Sequence, residues 1–232
     1  MENTTYELIQ INDTTWRIED GVVRSFLFVG TEKALLIDSG FGTGDLKAII
    51  ESLTSLPVML LNTHADHDHI GGNSQFKKAF MHRDDLYRYR QIVGEVPVVE
   101  LIQEGDVINL GNRCFEIILI PGHTPGSIAL LDAENRILIA GDTVQAGTIY
   151  LAGEGRDIKT YTSSLKILRD MSERFDIVYP SHGPFPVNAG IIHELICGLE
   201  KVEAGLVPAE EAHPPFTEIA KSYDIIAAKI IF

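Results

Sequence analysis

Residues 62–73 read Asn-Thr-His-Ala-Asp-His-Asp-His-Ile-Gly-Gly-Asn, which puts three histidines and two aspartates within six consecutive positions. Imidazole suits zinc, iron and related ions, while carboxylates add negative charge and favour harder cations. The cluster follows the apolar run Val58–Leu61, so it reads as a loop leaving a buried strand. Side chains at i and i+2 of an extended segment share a face, so His64 and Asp66 should point together and His67 away. A helical turn beginning near Asp68-His69 would aim those two side chains back at the same point. The Gly71-Gly72 pair lets another stretch of backbone come close.

A lone histidine on such a loop is usually a solvated or helix-capping residue. This cluster has three distant companions, each in a loop after a strand-like run. His123 lies in Pro121-Gly122-His123-Thr124-Pro125-Gly126, Asp142 in Gly141-Asp142-Thr143, and His182 in Pro180-Ser181-His182-Gly183-Pro184. Functional groups concentrate at loops that rigid elements hold in place. Together the four segments point to a metal centre.

The elements needed to position them are legible in outline. Tyr6–Ile11, Thr14–Ile18, Ser25–Val29 and Ala34–Asp38 are short β-rich runs separated by turn residues. Leu46–Leu53 carries apolar residues at helical spacing, with Thr43 or Asp45 available as its cap. Cys114–Ile120, Ser127–Leu131, Arg136–Ala140 and Asp176–Tyr179 read as strands; Tyr161–Met171 and Asn188–Val202 read as helices. Strands that first meander and then alternate with helices predict an α/β protein with mixed sheets. No linker or repeat interrupts the chain, which predicts one domain over residues 1–232.

Composition narrows the function classes. The net charge of −14, from 19 basic and 33 acidic residues, disfavours nucleic acid, whose binding rests on Lys and Arg contacts to phosphate. The densest basic stretch, Arg83–Arg90, is interrupted by Asp84 and Asp85. Cys114 and Cys197 form no CxxC pair and read as buried or half-buried thiols of a reducing compartment. The N-terminal residues lack a signal-peptide pattern, and no run approaches the roughly 18 apolar residues of a membrane span. A cytoplasmic protein without membrane partners is the expectation.

The histidine and aspartate set resembles the metallo-β-lactamase superfamily, whose signature is Thr-His-x-His-x-Asp-His-x-Gly-Gly followed by a His, a bridging Asp and a final His. The match runs from Thr63 to Gly72 and continues through His123, Asp142 and His182, and the Asp38-Ser39-Gly40 turn is similar to the family's entry region. The resemblance, glyoxalase II-like in kind, implies a four-layered αββα sandwich of two mixed sheets flanked by helices. It implies two divalent metals, expected as zinc with iron or manganese as alternatives. One would be held by His64, His123 and the second motif position, the other by Asp68, His69 and His182, with Asp142 between them. The second motif position, a histidine in the family, is Asp66 here; Asp66 is the expected ligand and His67 the alternative.

What the resemblance implies chemically is a binuclear hydrolase that uses a metal-bound hydroxide on a small ester, thioester, lactone or related substrate. Asp68 would orient the nucleophile and move its proton. Tyr150 and Arg156, in the Gly-rich stretch after Asp142, are candidates for substrate contact, and Arg83–Val99 is a candidate second wall. At 232 residues the sequence is expected to lack the extra domain with which glyoxalase II-like thioesterases hold glutathione, which favours a small substrate. The apolar tail Tyr223–Phe232 reads as a packing strand or a dimer contact, leaving a homodimer open. His82 is expected to be exposed, His193 to lie on a helix without ligand duty, and His213 in a loop. Two other classes compete: an iron oxidoreductase or dioxygenase on the same fold, and a non-catalytic binding protein.

Overall fold

A computed structural model describes residues 6–93, 98–214 and 219–232. Its Cα packing divides the chain into two compact units, Met1–Ile118 and Leu119–Phe232. Each mixes strands and helices, the α/β class expected.

The first unit carries β1 (Glu7–Asn12), β2 (Thr15–Asp20), β3 (Val23–Val29), β4 (Ala34–Ile37), α1 (Leu46–Leu53), β5 (Val58–Leu61), α2 (His67–Ile70), β6 (Lys78–His82), α3 (Leu86–Val93), β7 (Val98–Ile102) and β8 (Val107–Asn109), and almost all of β9 (Cys114–Leu119). Strands β1 to β7 form one sheet in sequence order. It is antiparallel through β4 and parallel from β4 to β7. The edge strand β1 is largely exposed, whereas β4 is buried throughout, as strands covered on both faces must be. Ile18, Leu27, Leu36, Leu46, Ile50 and Leu60 pack together beneath α1. That helix starts at Leu46 because the Asp45 carboxylate accepts from the Ala48 N–H at 2.9 Å.

The second unit carries β10 (Ile128–Asp132), β11 (Ile137–Ile139), β12 (Thr148–Tyr150), α4 (Ile158–Asp170), β13 (Ile177–Tyr179), β14 (Val187–Asn188), α5 (Ile191–Glu203), β15 (Glu210–Ala212), β16 (Ala220–Asp224) and β17 (Lys229–Ile231). β10 and β11 pair antiparallel, β11 and β13 parallel, and β13 and β14 antiparallel. A separate sheet runs β12-β17-β16-β15. Within the apolar tail, Tyr223 and Asp224 end β16 and Lys229–Ile231 form β17, which lies between β12 and β16.

Several expectations need correction. The helix expected from Tyr161 begins three residues earlier, at Ile158, because Asp157 caps it. The helix expected from Asn188 begins at Ile191, because Val187 and Asn188 are held as a strand against β13. Cys114 is exposed rather than buried. His82 is buried, not exposed: its backbone ends β6 and its Nδ1 accepts from the Asp84 N–H at 3.3 Å. Residues 94–97 of the stretch Arg83–Val99, and residues 1–5 of the seven on which the leader reading rests, lie outside the described residues. Among the described residues no helix is long and apolar enough to cross a membrane.

Candidate metal centre

The first unit brings His64, Asp66, Asp68 and His69 together at the ends of β5 and α2. The chain leaves β5 extended, so His64 and Asp66 share a face: His64 Nε2 lies 3.7 Å from Asp66 Oδ2. It then turns into α2, whose first turn aims Asp68 and His69 back, with His69 Nε2 3.9 Å from Asp68 Oδ2. The His64 and His69 rings have their centroids 3.9 Å apart. His67 is exposed and its ring is 6.0 Å from that of Phe41.

A buried carboxylate that the sequence reading left unassigned organises this group. Asp38 accepts from the Thr63 N–H and Oγ1–H and from His69 Nδ1, each at 2.8 Å. Because Thr63 spends its hydroxyl proton on Asp38, its oxygen must accept from His64 Nδ1, 3.0 Å away. Both histidines therefore carry their proton on Nδ1 and present Nε2 as the ligand atom, the orientation that outer partners of metal-binding histidines impose. The Asn62 amide and the Ser39 N–H donate to the His69 carbonyl, each at 2.9 Å, locking the turn from behind. A Cβ on Gly71 would collide with the Phe41 carbonyl oxygen, and one on Gly72 would stand 2.6 Å from that of Ser39. This is the close approach that the Gly71-Gly72 pair announces.

The second unit supplies His123, Asp142 and His182. Asp142 follows β11 and turns its two oxygens to different rings: Oδ2 is 3.7 Å from His123 Nε2 and Oδ1 is 3.3 Å from His182 Nε2. His123 donates Nδ1–H to the Tyr150 carbonyl at 2.9 Å, so it too presents Nε2. Its loop is braced by α4: the Asp157 N–H bonds the Gly122 carbonyl at 2.9 Å, and Ser164 Oγ donates to the Pro121 carbonyl at 2.6 Å. Fully buried Tyr161 donates to the Thr143 carbonyl at 2.7 Å, just past Asp142. Burial, and then the Asp142 charge, push its phenol far above the ordinary value, so it stays a donor.

These separations fit a metal. Two ligands of one tetrahedral ion, each about 2.1 Å from it, stand about 3.4 Å apart. Nitrogen–oxygen distances of 3.3–3.9 Å match that spacing better than the 2.7–3.2 Å of direct hydrogen bonds. Imidazoles and carboxylates without a thiolate suit zinc, iron or manganese.

Tyr150 is half-buried, and its side chain packs on Ala152, Ala220 and Ile231; Arg156 is half-buried in the loop before α4. His193 lies exposed on α5, and exposed His213 pairs with Glu211 at 3.0 Å. The sequence reading missed Asp38, Asp85 and Arg88. Asp85 is fully buried and accepts from the Ala65 N–H at 2.7 Å. Arg88 donates to Asp66 at 2.6 Å.

The chain is 29% identical over 196 residues to the acyl-coenzyme A thioesterase MBLAC2 of Gallus gallus, covering 68% of this chain and 71% of that protein. A solved metallo-beta-lactamase from Pontibacter korlensis superposes with a TM-score of 0.72 at 19% identity, covering 84% of this chain and 99% of the other. TTHA1623, solved in a di-iron-bound form, gives a TM-score of 0.61 at 26% identity, covering 72% and 90%. The sequence pattern of the Metallo-beta-lactamase superfamily matches residues 18–182, most of the chain and the span in which the seven candidate ligands lie. The fold is that of the metallo-beta-lactamases, and the protein is a member of the Metallo-beta-lactamase superfamily.

Proposed function

We propose that the protein is a binuclear metal-dependent hydrolase of small acyl esters and thioesters. His64, Asp66 and His123 would hold one divalent cation and Asp68, His69 and His182 the other, with Asp142 shared. The observation that carries this reading is the division of Asp142, one oxygen toward His123 Nε2 and the other toward His182 Nε2, which would let one carboxylate serve two ions. Two bound cations supply Lewis acidity and a water whose pKa falls toward about 7. The chain's own part is to aim the ligand nitrogens through Asp38, Thr63 and the Tyr150 carbonyl, and to offer Asp68 as the base that takes the proton of the attacking water. Asp68 suits this because it is half-buried at the edge of the cluster. The thioester preference is supported by the similarity to an acyl-coenzyme A thioesterase.

The donor set and the di-iron form of TTHA1623 keep iron beside zinc as the resident metal. The test is metal content by mass spectrometry on protein purified without chelator or His-tag, followed by acyl-thioester, ester and lactone hydrolysis. About two zinc per chain with thioester turnover is the expected result. Two irons, with oxygen consumption and no hydrolysis, would move the reading to an oxidoreductase. Less than one metal after soaking in zinc, manganese or iron would overturn it.

A further inference from the structure

Asp66 occupies the N-cap position of α2, yet its carboxylate does not cap the helix. Asp45 and Asp157, at the same position of α1 and α4, each accept a backbone N–H at 2.9 and 2.7 Å. What diverts Asp66 is Arg88 on α3. Both Nε and Nη2 of the guanidinium stand 2.6 Å from one oxygen, Oδ1. The other oxygen, Oδ2, is the one that faces His64 Nε2 at 3.7 Å.

That grip is not the one an arginine usually takes. Planar guanidinium and carboxylate groups prefer two parallel bonds, one to each oxygen. Arg136 and Asp176 of this chain do this on the surface, Nε to Oδ2 at 2.6 Å and Nη2 to Oδ1 at 2.7 Å. Arg88 instead puts two donors on one oxygen and leaves Oδ2 to the cluster. The side chains are 26% and 13% exposed, against 45% and 64% for the surface pair, so the inner pair is less screened by solvent. Arg88 is itself held in register. Its neighbour Tyr89 is buried with Ala65, Ile70 and Met81, and Asp85, just before α3, accepts from the Ala65 N–H.

We propose that Arg88 is a positioning residue that makes Asp66 a one-oxygen metal ligand: it occupies Oδ1, cancels the charge that a carboxylate adds where an imidazole would be neutral, and fixes Oδ2 on the side of His64. The inference rests on the metal-centre reading above and adds to it the device by which an aspartate stands at this position. It also accounts for the choice of Asp66 over His67, which is exposed and turned toward Phe41.

The test is zinc affinity by competition with a chromophoric chelator, on wild-type protein and on R88Q, R88K, D66H and D66H/R88Q. R88Q should weaken one of the two zinc sites by about 10–100-fold, the usual effect of removing an outer partner of a ligand, and leave the other within about two-fold. R88K, which keeps the charge but offers a single point donor, should fall between wild type and R88Q. D66H/R88Q should recover two tight sites, because a neutral imidazole needs no counter-cation; D66H alone, with the guanidinium left beside that imidazole, should bind less tightly than the double variant. A merely structural role for Arg88 would not be rescued by a change at Asp66, so a double variant as weak as R88Q overturns the proposal. So does an R88Q protein that binds both zincs as wild type does. Thermal melts of the metal-free proteins monitor folding; if R88Q does not fold, R88K and D66H/R88Q decide by the same criteria. Wild-type protein that binds no zinc, manganese or iron would overturn the metal centre itself, whereas two metals in wild type with no effect at Arg88 would overturn this inference alone.

Discussion

Asp38 Oδ2 accepts from His69 Nδ1 at 2.8 Å while its own backbone sits at φ 60°, in the left-handed region that non-glycine residues rarely enter. Such a conformation costs of order 1–3 kcal/mol and persists only where the surroundings over-determine it. Here the surroundings are two Thr63 donors and the His69 ring, all converging on a carboxylate that is 1% exposed. Through Thr63 the same carboxylate also sets the His64 ring.

Replacing Asp38 by Ala should therefore lower metal affinity by about 10–100-fold. It should also destabilise the fold by on the order of 3 kcal/mol, since buried donors are left bare. Asp38→Gly separates the two effects. Glycine relieves the backbone strain but supplies no acceptor, so metal affinity should stay as low as in the Ala variant. Recovery of affinity in the Gly variant, measured by chelator competition, would show that strain rather than hydrogen bonding is what matters.

The contrast between His64 and Asp38 shows what a sequence can reveal. The candidate ligand loop is legible because its chemistry is local: residues two apart on an extended segment, then a turn of helix, with glycines where backbone passes close. Asp38, Asp85 and Arg88 act across separations of 31, 20 and 22 residues, through pairings that only the folded sheet creates. Arg88 looks like part of a solvated charge run because Arg83, Asp84, Asp85 and Arg90 surround it in sequence. Its register on α3 turns it onto Asp66. His82 differs from expectation for the same reason: its nearest charged neighbours, Arg83 and Asp84, are exposed, while its own ring is buried at the end of β6. Helix ends shifted by three residues where a cap (Asp157) or a short strand pairing (Val187–Asn188) outranked apolar spacing.

Asp142→Asn should be more informative than deletion of a terminal ligand. The amide keeps the shape but presents only one carbonyl oxygen, so either the His123 ion or the His182 ion would lose its Asp142 ligand. Metal content by mass spectrometry should fall from about two per chain to about one, and to less in Asp142→Ala. Two metals retained in the Ala variant would remove Asp142 from the centre.

Asp68→Asn tests the base. An amide cannot take a proton, so kcat for thioester hydrolysis should fall by about 10²–10⁴-fold, the range for losing a general acid or base. Because Asp68 is also a candidate ligand beside His69, metal content is measured on the same protein. Lost turnover with both metals kept assigns proton transfer; lost turnover with one metal missing assigns ligation. Unchanged turnover would exclude both roles.

Asp157 links fold stability to the His123 loop and carries a pH signature. Its carboxylate accepts from Thr160 Oγ1 at 2.6 Å and from the Thr160 N–H at 2.7 Å, while its own N–H holds the Gly122 carbonyl. Those Thr160 hydrogen bonds, side chain first, hold its pKa below the ordinary carboxylate value of 3.8. A depressed folded pKa means the ionised cap stabilises the native state above the unfolded pKa, and the gain is lost as pH falls through the folded value. Asp157→Ala should cost about 1 kcal/mol near neutral pH, as the loss of an N-cap does. Asp157→Asn keeps a capping oxygen and should cost less, without any pH dependence of its own. Denaturant melts at pH 7 and at points below about 4 should therefore show the gap between wild type and the Asn variant closing as the medium becomes acidic. A gap that widens instead would mean that the carboxylate is destabilising when charged and that the hydrogen bonds to Thr160 do not govern it. Because α4 stands on the Gly122–His123 loop, the Ala variant should also bind metal less tightly than the Asn variant when both are fully folded.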